Sequence, residues 1–187
     1  MEVTGLLNDC YVPDKNNTNN ILFDSCIYDK RLYNNLTDID TLKSARRKGY
    51  LYFTTHVQER EICGVPDRNY AYDKPWTPNP NAKEIMEIFN ELDVKRVSCL
   101  ANIGYQYFTL LDGTYRLIED ENCNDERVIM FYDIYNHNKR HLRDAIIAEA
   151  AIYNNCNLIS VDKRLIRKVN RHFENRAINY DEFIKTL

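Results

Sequence analysis

The sequence predicts a three-layer α/β/α sandwich built on a central, mainly parallel sheet. Three observations carry that prediction. "ILFD", Ile21 to Asp24, is a continuous apolar run, the pattern of a strand covered on both faces. "YLYFTT" and "NLISV" are two further runs of strand-forming residues. Segments with helical periodicity and capping residues separate the three, and such alternation builds parallel sheets with crossover helices on their faces.

Residues 1–20 carry a proline and the asparagine-rich "NNTNN", and read as an N-terminal extension or loosely packed arm. The domain proper runs over 21–187, with an insertion around 63–125. After the first strand, "TDIDTLKSARRKG" reads as a helix. Thr37 or Asp38 caps it, Leu42 and Ala45 face inward, and Gly49 stops it. "YLYFTT" is the next strand, and "HVQEREI" one or two helical turns. A loop holding four of the five prolines follows. In "AKEIMEIFNEL", Ile85, Ile88, Phe89 and Leu92 share one helical face. "VKRVSCL" is a candidate strand. "YFTLLDGTYRLIED" places Asp112–Gly113 between alternating apolar residues, a hairpin signal. "NDERVIMFYDIYNH" is a helix capped by Asn124 or Asp125. A helix over Leu142–Tyr153 and a strand over Asn157–Val161 come next. The chain closes with a basic helix from about Lys163, the short strand "AINY" and a terminal helix capped by Asp181.

Composition narrows the function classes. The formal net charge is −3, so any nucleic-acid contact must come from a local basic patch. The six cysteines form no CxxC pair, which argues against structural zinc. The sequence opens without a secretory pattern and has no apolar run long enough for a bilayer. The expectation is a cytoplasmic protein with reduced thiols and no membrane partner. Phosphate-loop, dinucleotide and serine-hydrolase motifs are all missing from the sequence.

The acids are more informative. Asp24 ends the first apolar strand, and Asp162 follows "NLISV". If those strands are parallel neighbours, both carboxylates sit at one edge. Asp144 starts the helix that feeds the second strand, so it belongs at the same edge. Glu61 follows "YLYFTT" closely enough to reach it. Converging carboxylates repel and raise one another's pKa unless a cation neutralises them. Oxygen ligands without paired Cys or His suit Mg²⁺ or Mn²⁺. Each acid also has a purely structural reading: Asp144 as an acid at a helix N-terminus, Asp162 and Asp24 as helix caps, Glu61 as a surface glutamate.

At these residues the chain resembles the PIN-domain nucleases. "ILFDSCI" resembles the family's opening strand, an apolar run ending in Asp-Thr/Ser-Asn/Ser. "TTHVQEREI" resembles the second acidic motif, a Thr followed six residues later by a glutamate, a frame that selects Glu61 over Glu59. "RDAIIAEAAIYNNCNLISVDKRL" resembles the family's Asp-Ala helix and the strand that ends Thr/Ser-x-Asp. The resemblance implies a metal-dependent endoribonuclease with Asp24, Glu61, Asp144 and Asp162 around Mg²⁺ or Mn²⁺. It also implies Ser25 and Ser160 as supporting hydroxyls. RNA as substrate, a small antitoxin as partner and a homodimer follow from its toxin members. This chain departs from the pattern at Cys26, where Asn or Ser is usual, and in "KRL", which lacks a later acid.

Basic residues flank the acids. Arg140 and Arg143 precede Asp144; Lys163, Arg164, Arg167, Lys168 and Arg171 follow Asp162. At i, i+3 and i+4 spacing, Arg164, Arg167, Lys168 and Arg171 form one helical stripe, a candidate RNA-binding surface or a plain solvated face. His141 is a candidate substrate contact, and Tyr105, Tyr107, Phe108 and Tyr115 are candidates for base stacking or for packing. Two other functions are compatible with these residues: a non-catalytic RNA- or protein-binding module, and a DNA-directed nuclease.

Overall fold

The computed structural model of the protein describes residues 10–63, 79–98, 108–110, 115–117 and 125–187. Five strands form one sheet: β1 (Asn20–Phe23), β2 (Leu51–Thr55), β3 (Lys95–Val97), β6 (Asn157–Ser160) and β7 (Ala177–Asn179). Their spatial order is β3-β2-β1-β6-β7, and every pairing is parallel. β4 (Phe108–Leu110) and β5 (Tyr115–Leu117) form a separate antiparallel pair, as the hairpin signal predicts. The Asp112–Gly113 turn and the Tyr105 and Tyr107 rings lie outside the described residues.

The helices are α1 (Ser25–Ile27), which runs on as a π-helical turn (Tyr28–Leu32), α2 (Leu36–Arg47), α3 (His56–Cys63) and α4 (Ala82–Glu91), then α5 (Glu126–Tyr135), α6 (Leu142–Tyr153), α7 (Lys163–His172) and α8 (Tyr180–Lys185). They cover both faces of the sheet. Strand residues alternate between two cores because successive side chains point to opposite faces. Leu22, Phe53, Val97, Leu158 and Ala177 pack with the apolar sides of α5, α6 and α7. Ile21, Phe23, Tyr52 and Ile159 pack with α1, α2, α4 and α8 on the other face. Leu22 and Phe23 are fully buried, and each such side chain stabilises the fold by about 2 kcal/mol. α6 contributes small side chains to the core around Leu22: Ala145, Ala148 and Ala151.

Within the span 63–125 read as an insertion, α4 and β3 are integral to the sandwich; much of the remainder lies outside the described residues. Tyr11 makes a parallel bridge to Val97 and stacks on Phe53 with ring centroids 5.6 Å apart, so part of the N-terminal arm runs along the β3 edge.

Two predicted caps are corrected. Asn35, rather than Thr37 or Asp38, caps α2 by accepting from the Asp38 N–H. Asn179, rather than Asp181, caps α8 by accepting from the Asp181 N–H. In both cases the chain leaves extended or turn geometry earlier than the apolar pattern suggests, and an asparagine stands at that bend. Asparagines at Asn34, Asn136, Asn155 and Asn175 also take left-handed backbone angles, which Asn tolerates better than most residues. The asparagine-rich composition thus has a structural use.

Candidate active site

The sheet order reverses direction at β1. From there the chain winds through β2 to β3 on one side and through β6 to β7 on the other. In open parallel sheets the crevice at that reversal, beyond the carboxyl ends of the strands, is where ligands bind. A pocket of about 370 Å³ opens there, lined by Asp24, Ser25, Cys26, Lys30, Glu61, Asp144, Val161 and Asp162. The four sequence-predicted acids therefore share one pocket. They arrive from four places: the end of β1, α3, the first turn of α6 and the start of α7.

Register sets the centre of the site. Phe23 pairs with Ile159, so the next residues, Asp24 and Ser160, are neighbours. The Ser160 hydroxyl donates to Asp24 Oδ2 at 2.7 Å, and the Cys26 thiol donates to the same oxygen at 3.1 Å. Asp24 is 7% exposed, and burial pushes its pKa above the usual carboxylate range; the Glu61 charge adds to this, while the Ser160 and Cys26 hydrogen bonds work against it. Asp24 holds the N-cap position of α1 without a side-chain capping bond, so the cap reading does not account for it. Burial and the Asp24 charge push the Cys26 thiol up to about 12, which keeps it a protonated donor rather than a thiolate ligand.

Glu61 Oε2 accepts from the Ser25 hydroxyl at 2.8 Å, and Glu61 Oε1 accepts from Arg143 Nη1 at 2.9 Å. Glu59 faces elsewhere: it pairs with Arg96 through both carboxylate oxygens, and both side chains are nearly buried. The structure thus separates the two glutamates, with Glu61 at the pocket and Glu59 as a structural anchor. Gln58 is fully buried between the strand ends. Its side-chain amide donates to the Phe23 carbonyl, and its oxygen accepts from the Thr55 N–H at 3.0 Å. It therefore ties the carboxyl ends of β1 and β2 together beneath the pocket.

Asp144 sits in the first turn of α6, where it does not cap the helix. Burial, followed by the charges of Asp24 and Asp162, pushes its pKa up to about 6, against the opposing charge of Arg164. Arg164 Nη2 donates to Asp144 Oδ2 at 3.3 Å, and Arg164 Nη1 lies 2.7 Å from His141 Nε2. Burial, and after it Arg164, hold the His141 pKa below its ordinary value. Asp162 does cap α7: its Oδ1 accepts from the Arg164 and Leu165 N–H groups at 2.7 and 3.2 Å.

The donor set is hard oxygen, which matches Mg²⁺ or Mn²⁺ in kind. Even so, among the described residues no three His, Cys, Asp or Glu side chains are gathered as a ready ligand group. The reason is visible at each carboxylate: Asp24 is turned to Ser160 and Cys26, Glu61 to Ser25 and Arg143, Asp144 to Arg164, and Asp162 to backbone amides.

The predicted basic stripe divides. Arg164 contacts Asp144 of the pocket. Lys163 and Arg167 line a neighbouring cavity of about 480 Å³ with Asn179, Asp181, Glu182 and Lys185. Lys168 and Arg171 pair with Asp133 of α5 at 3.1 and 3.0 Å, so they brace two helices. Arg140 is exposed in the 3-10 turn (Lys139–His141) that precedes α6. Lys30, Gln58 and Arg96 were not singled out by sequence. Lys30 and Gln58 lie six residues after Asp24 and three before Glu61, a spacing that helical phase alone connects to the acids. The described Cys10, Cys26, Cys63 and Cys156 are free thiols, and no helix among the described residues is long and apolar enough to cross a membrane. Set against known proteins, the chain matches no family model, no curated protein and no solved structure, and the functional reading rests on the acidic pocket itself.

Proposed function

We propose that this protein is a PIN-type, metal-dependent endoribonuclease that hydrolyses RNA phosphodiester bonds. The observation that carries the reading is the convergence of Asp24, Glu61, Asp144 and Asp162 on one pocket at the reversal of the sheet order. Asp24 and Asp144 are both raised above ordinary carboxylates, in part by neighbouring negative charge, which is the electrostatic condition a divalent cation relieves. When bound, Mg²⁺ or Mn²⁺ supplies charge neutralisation at the phosphate and a more acidic water. Asp24, Asp144 and Asp162 hold the cation directly or through water. Glu61 assists them or takes the proton of the attacking water. Ser160 and Ser25 orient Asp24 and Glu61. Arg140, Arg143, Lys163, Arg164 and Arg167 are the phosphate contacts of this reading, with Lys168 more remote behind Asp133. The PIN resemblance extends the proposal to a toxin of a toxin–antitoxin pair, with a small antitoxin as partner and a homodimer as assembly.

The test is cleavage of single-stranded and structured RNA during a Mn²⁺ titration. Wild type cleaves with metal dependence, and Asp144→Asn loses about a hundredfold or more. Equal cleavage by the two sinks the proposal.

A second reading, a non-catalytic RNA- or protein-binding module, is favoured by one observation: each of the four carboxylates already holds a protein donor. Tight RNA binding without metal-dependent cleavage selects it. Parallel assays on DNA separate a DNA-directed nuclease with the same acids.

A further inference from the structure

Two of the pocket's carboxylates are covered by guanidinium groups of the chain itself. Arg143 Nη1 donates to Glu61 Oε1 at 2.9 Å, and Arg164 Nη2 donates to Asp144 Oδ2 at 3.3 Å. The two arginines come from different helices, α6 and α7, and each stands within two residues of a pocket acid: Arg143 precedes Asp144, and Arg164 follows Asp162. Neither pair is sealed from solvent. The Arg143 and Glu61 side chains are 32% and 33% exposed, and those of Arg164 and Asp144 are 35% and 30% exposed. Half-buried pairs that still reach water are modest in strength and exchange readily.

A cation and a guanidinium compete for the same carboxylate charge. A divalent ion brought to an oxygen already holding an arginine meets a like charge at close range, in a pocket where screening is reduced. A phosphodiester offers the guanidinium a better partner, because its paired oxygens match the planar donor fork. Arg164 also touches His141 just before α6, so the guanidinium has a second contact besides Asp144.

We propose that Arg143 and Arg164 form a substrate-released latch. At rest they neutralise Glu61 and Asp144; nucleic-acid phosphates draw them away and open those carboxylates to the cation. This rests on the nuclease reading for the identity of the ligands, and adds how the site is loaded. Cation and nucleic acid then tighten one another by the same factor, as linkage requires. The site is held in a form that binds metal poorly until a phosphate chain is present.

The experiment is a calorimetric Mn²⁺ titration of the full chain, alone and with an uncleavable 2′-O-methyl oligoribonucleotide. Wild type binds Mn²⁺ about tenfold more tightly with the oligonucleotide than without it. Arg143→Gln, Arg164→Gln and the double variant bind Mn²⁺ alone about as tightly as wild type does in the complex, and gain little more from the oligonucleotide. Variants that bind Mn²⁺ alone no better than wild type overturn the latch, and so does undiminished coupling in the double variant. If a variant does not fold, the wild-type comparison still decides, because equal Mn²⁺ affinity with and without oligonucleotide overturns the latch by itself. Metal-dependent cleavage without coupling rejects the latch and keeps the nuclease. Coupling without cleavage of unmodified RNA keeps the latch and rejects the nuclease. No Mn²⁺ binding under either condition overturns both.

Discussion

Asp162 carries two jobs in one side chain. Its Oδ1 caps α7, while its charge contributes to the raised pKa of Asp144. The jobs separate by substitution. Asp162→Asn keeps a good capping oxygen and leaves stability within a few tenths of a kcal/mol, whereas Asp162→Ala costs about 1 kcal/mol. On the proposed function both lose cleavage about a hundredfold, so equal melting of wild type and Asp162→Asn beside unequal activity is the expected pair of results. Glu149 offers a sharper stability test. It is 3% exposed in α6, its Oε1 has no hydrogen-bond partner among the described residues, and Arg127 Nη1 lies 3.8 Å from it. Burial pushes its pKa up to about 8, against the pull of Arg127. The folded protein therefore keeps a proton that the unfolded chain gives up at ordinary carboxylate pH, and stability falls as pH rises from about 4.5 to 8. Glu149→Gln removes that slope: it unfolds at the same denaturant concentration as wild type near pH 4.5, and is more stable by about 2–4 kcal/mol above pH 8.

At the scale of elements, α3 shows how one helix serves both fold and site. Gln58 joins the ends of β1 and β2, Glu59 anchors to Arg96 on β3, and Glu61 faces the pocket. Three tasks fit one short helix because each residue advances the side-chain direction by about 100°. Removing one partner of the Glu59–Arg96 pair leaves a charge with little access to water. Arg96→Met therefore destabilises by about 3 kcal/mol, and adding Glu59→Gln recovers part of the loss. Chemical denaturation of the two single variants and the double variant measures this; a harmless Arg96→Met would show that the pair does not anchor α3. α5 and α7 are braced in a similar way. Burial opposes ionisation of Asp133, but hydrogen bonds from Lys168 and His172 and the charges of Lys168 and Arg171 outweigh it and hold its pKa low.

For the whole molecule, the parallel sheet concentrates negative charge at one edge. Asp144, raised to about 6, destabilises the fold as pH rises through about 4 to 6, because only the folded state still holds the proton there. Asp24 acts in the same direction. Since Asp144 is partly exposed, the loss from it is about 1–2 kcal/mol after screening. In a Glu149→Gln background, melting temperature therefore declines across that window without divalent cation. On the proposed function, Mn²⁺ restores it in the otherwise wild-type chain but much less in Asp144→Asn. A melting temperature indifferent to both pH and Mn²⁺ would contradict the electrostatic account.

Much of this architecture is local and so was legible in the sequence. Apolar runs mark β1, β2 and β6, helical periodicity marks α4 and α6, and Asp24 and Asp162 follow from where the strands end. The PIN-like motif frame also favours Glu61 over Glu59, and the pocket contains Glu61. Caps at Asn35 and Asn179 were missed by a few residues because several polar residues compete at each helix start. The sequence alone determined the types of element and put Asp24 and Asp162 at strand ends and Asp144 at a helix start, since these depend on near neighbours along the chain. Only the tertiary structure decided the strand order, the Asp24–Ser160 contact, the burial of Lys168 against Asp133 and the arginines resting on Glu61 and Asp144. Those join residues 20 to 136 positions apart. Register and helix phase set them in space, and no local pattern encodes which distant side chain a charge will meet.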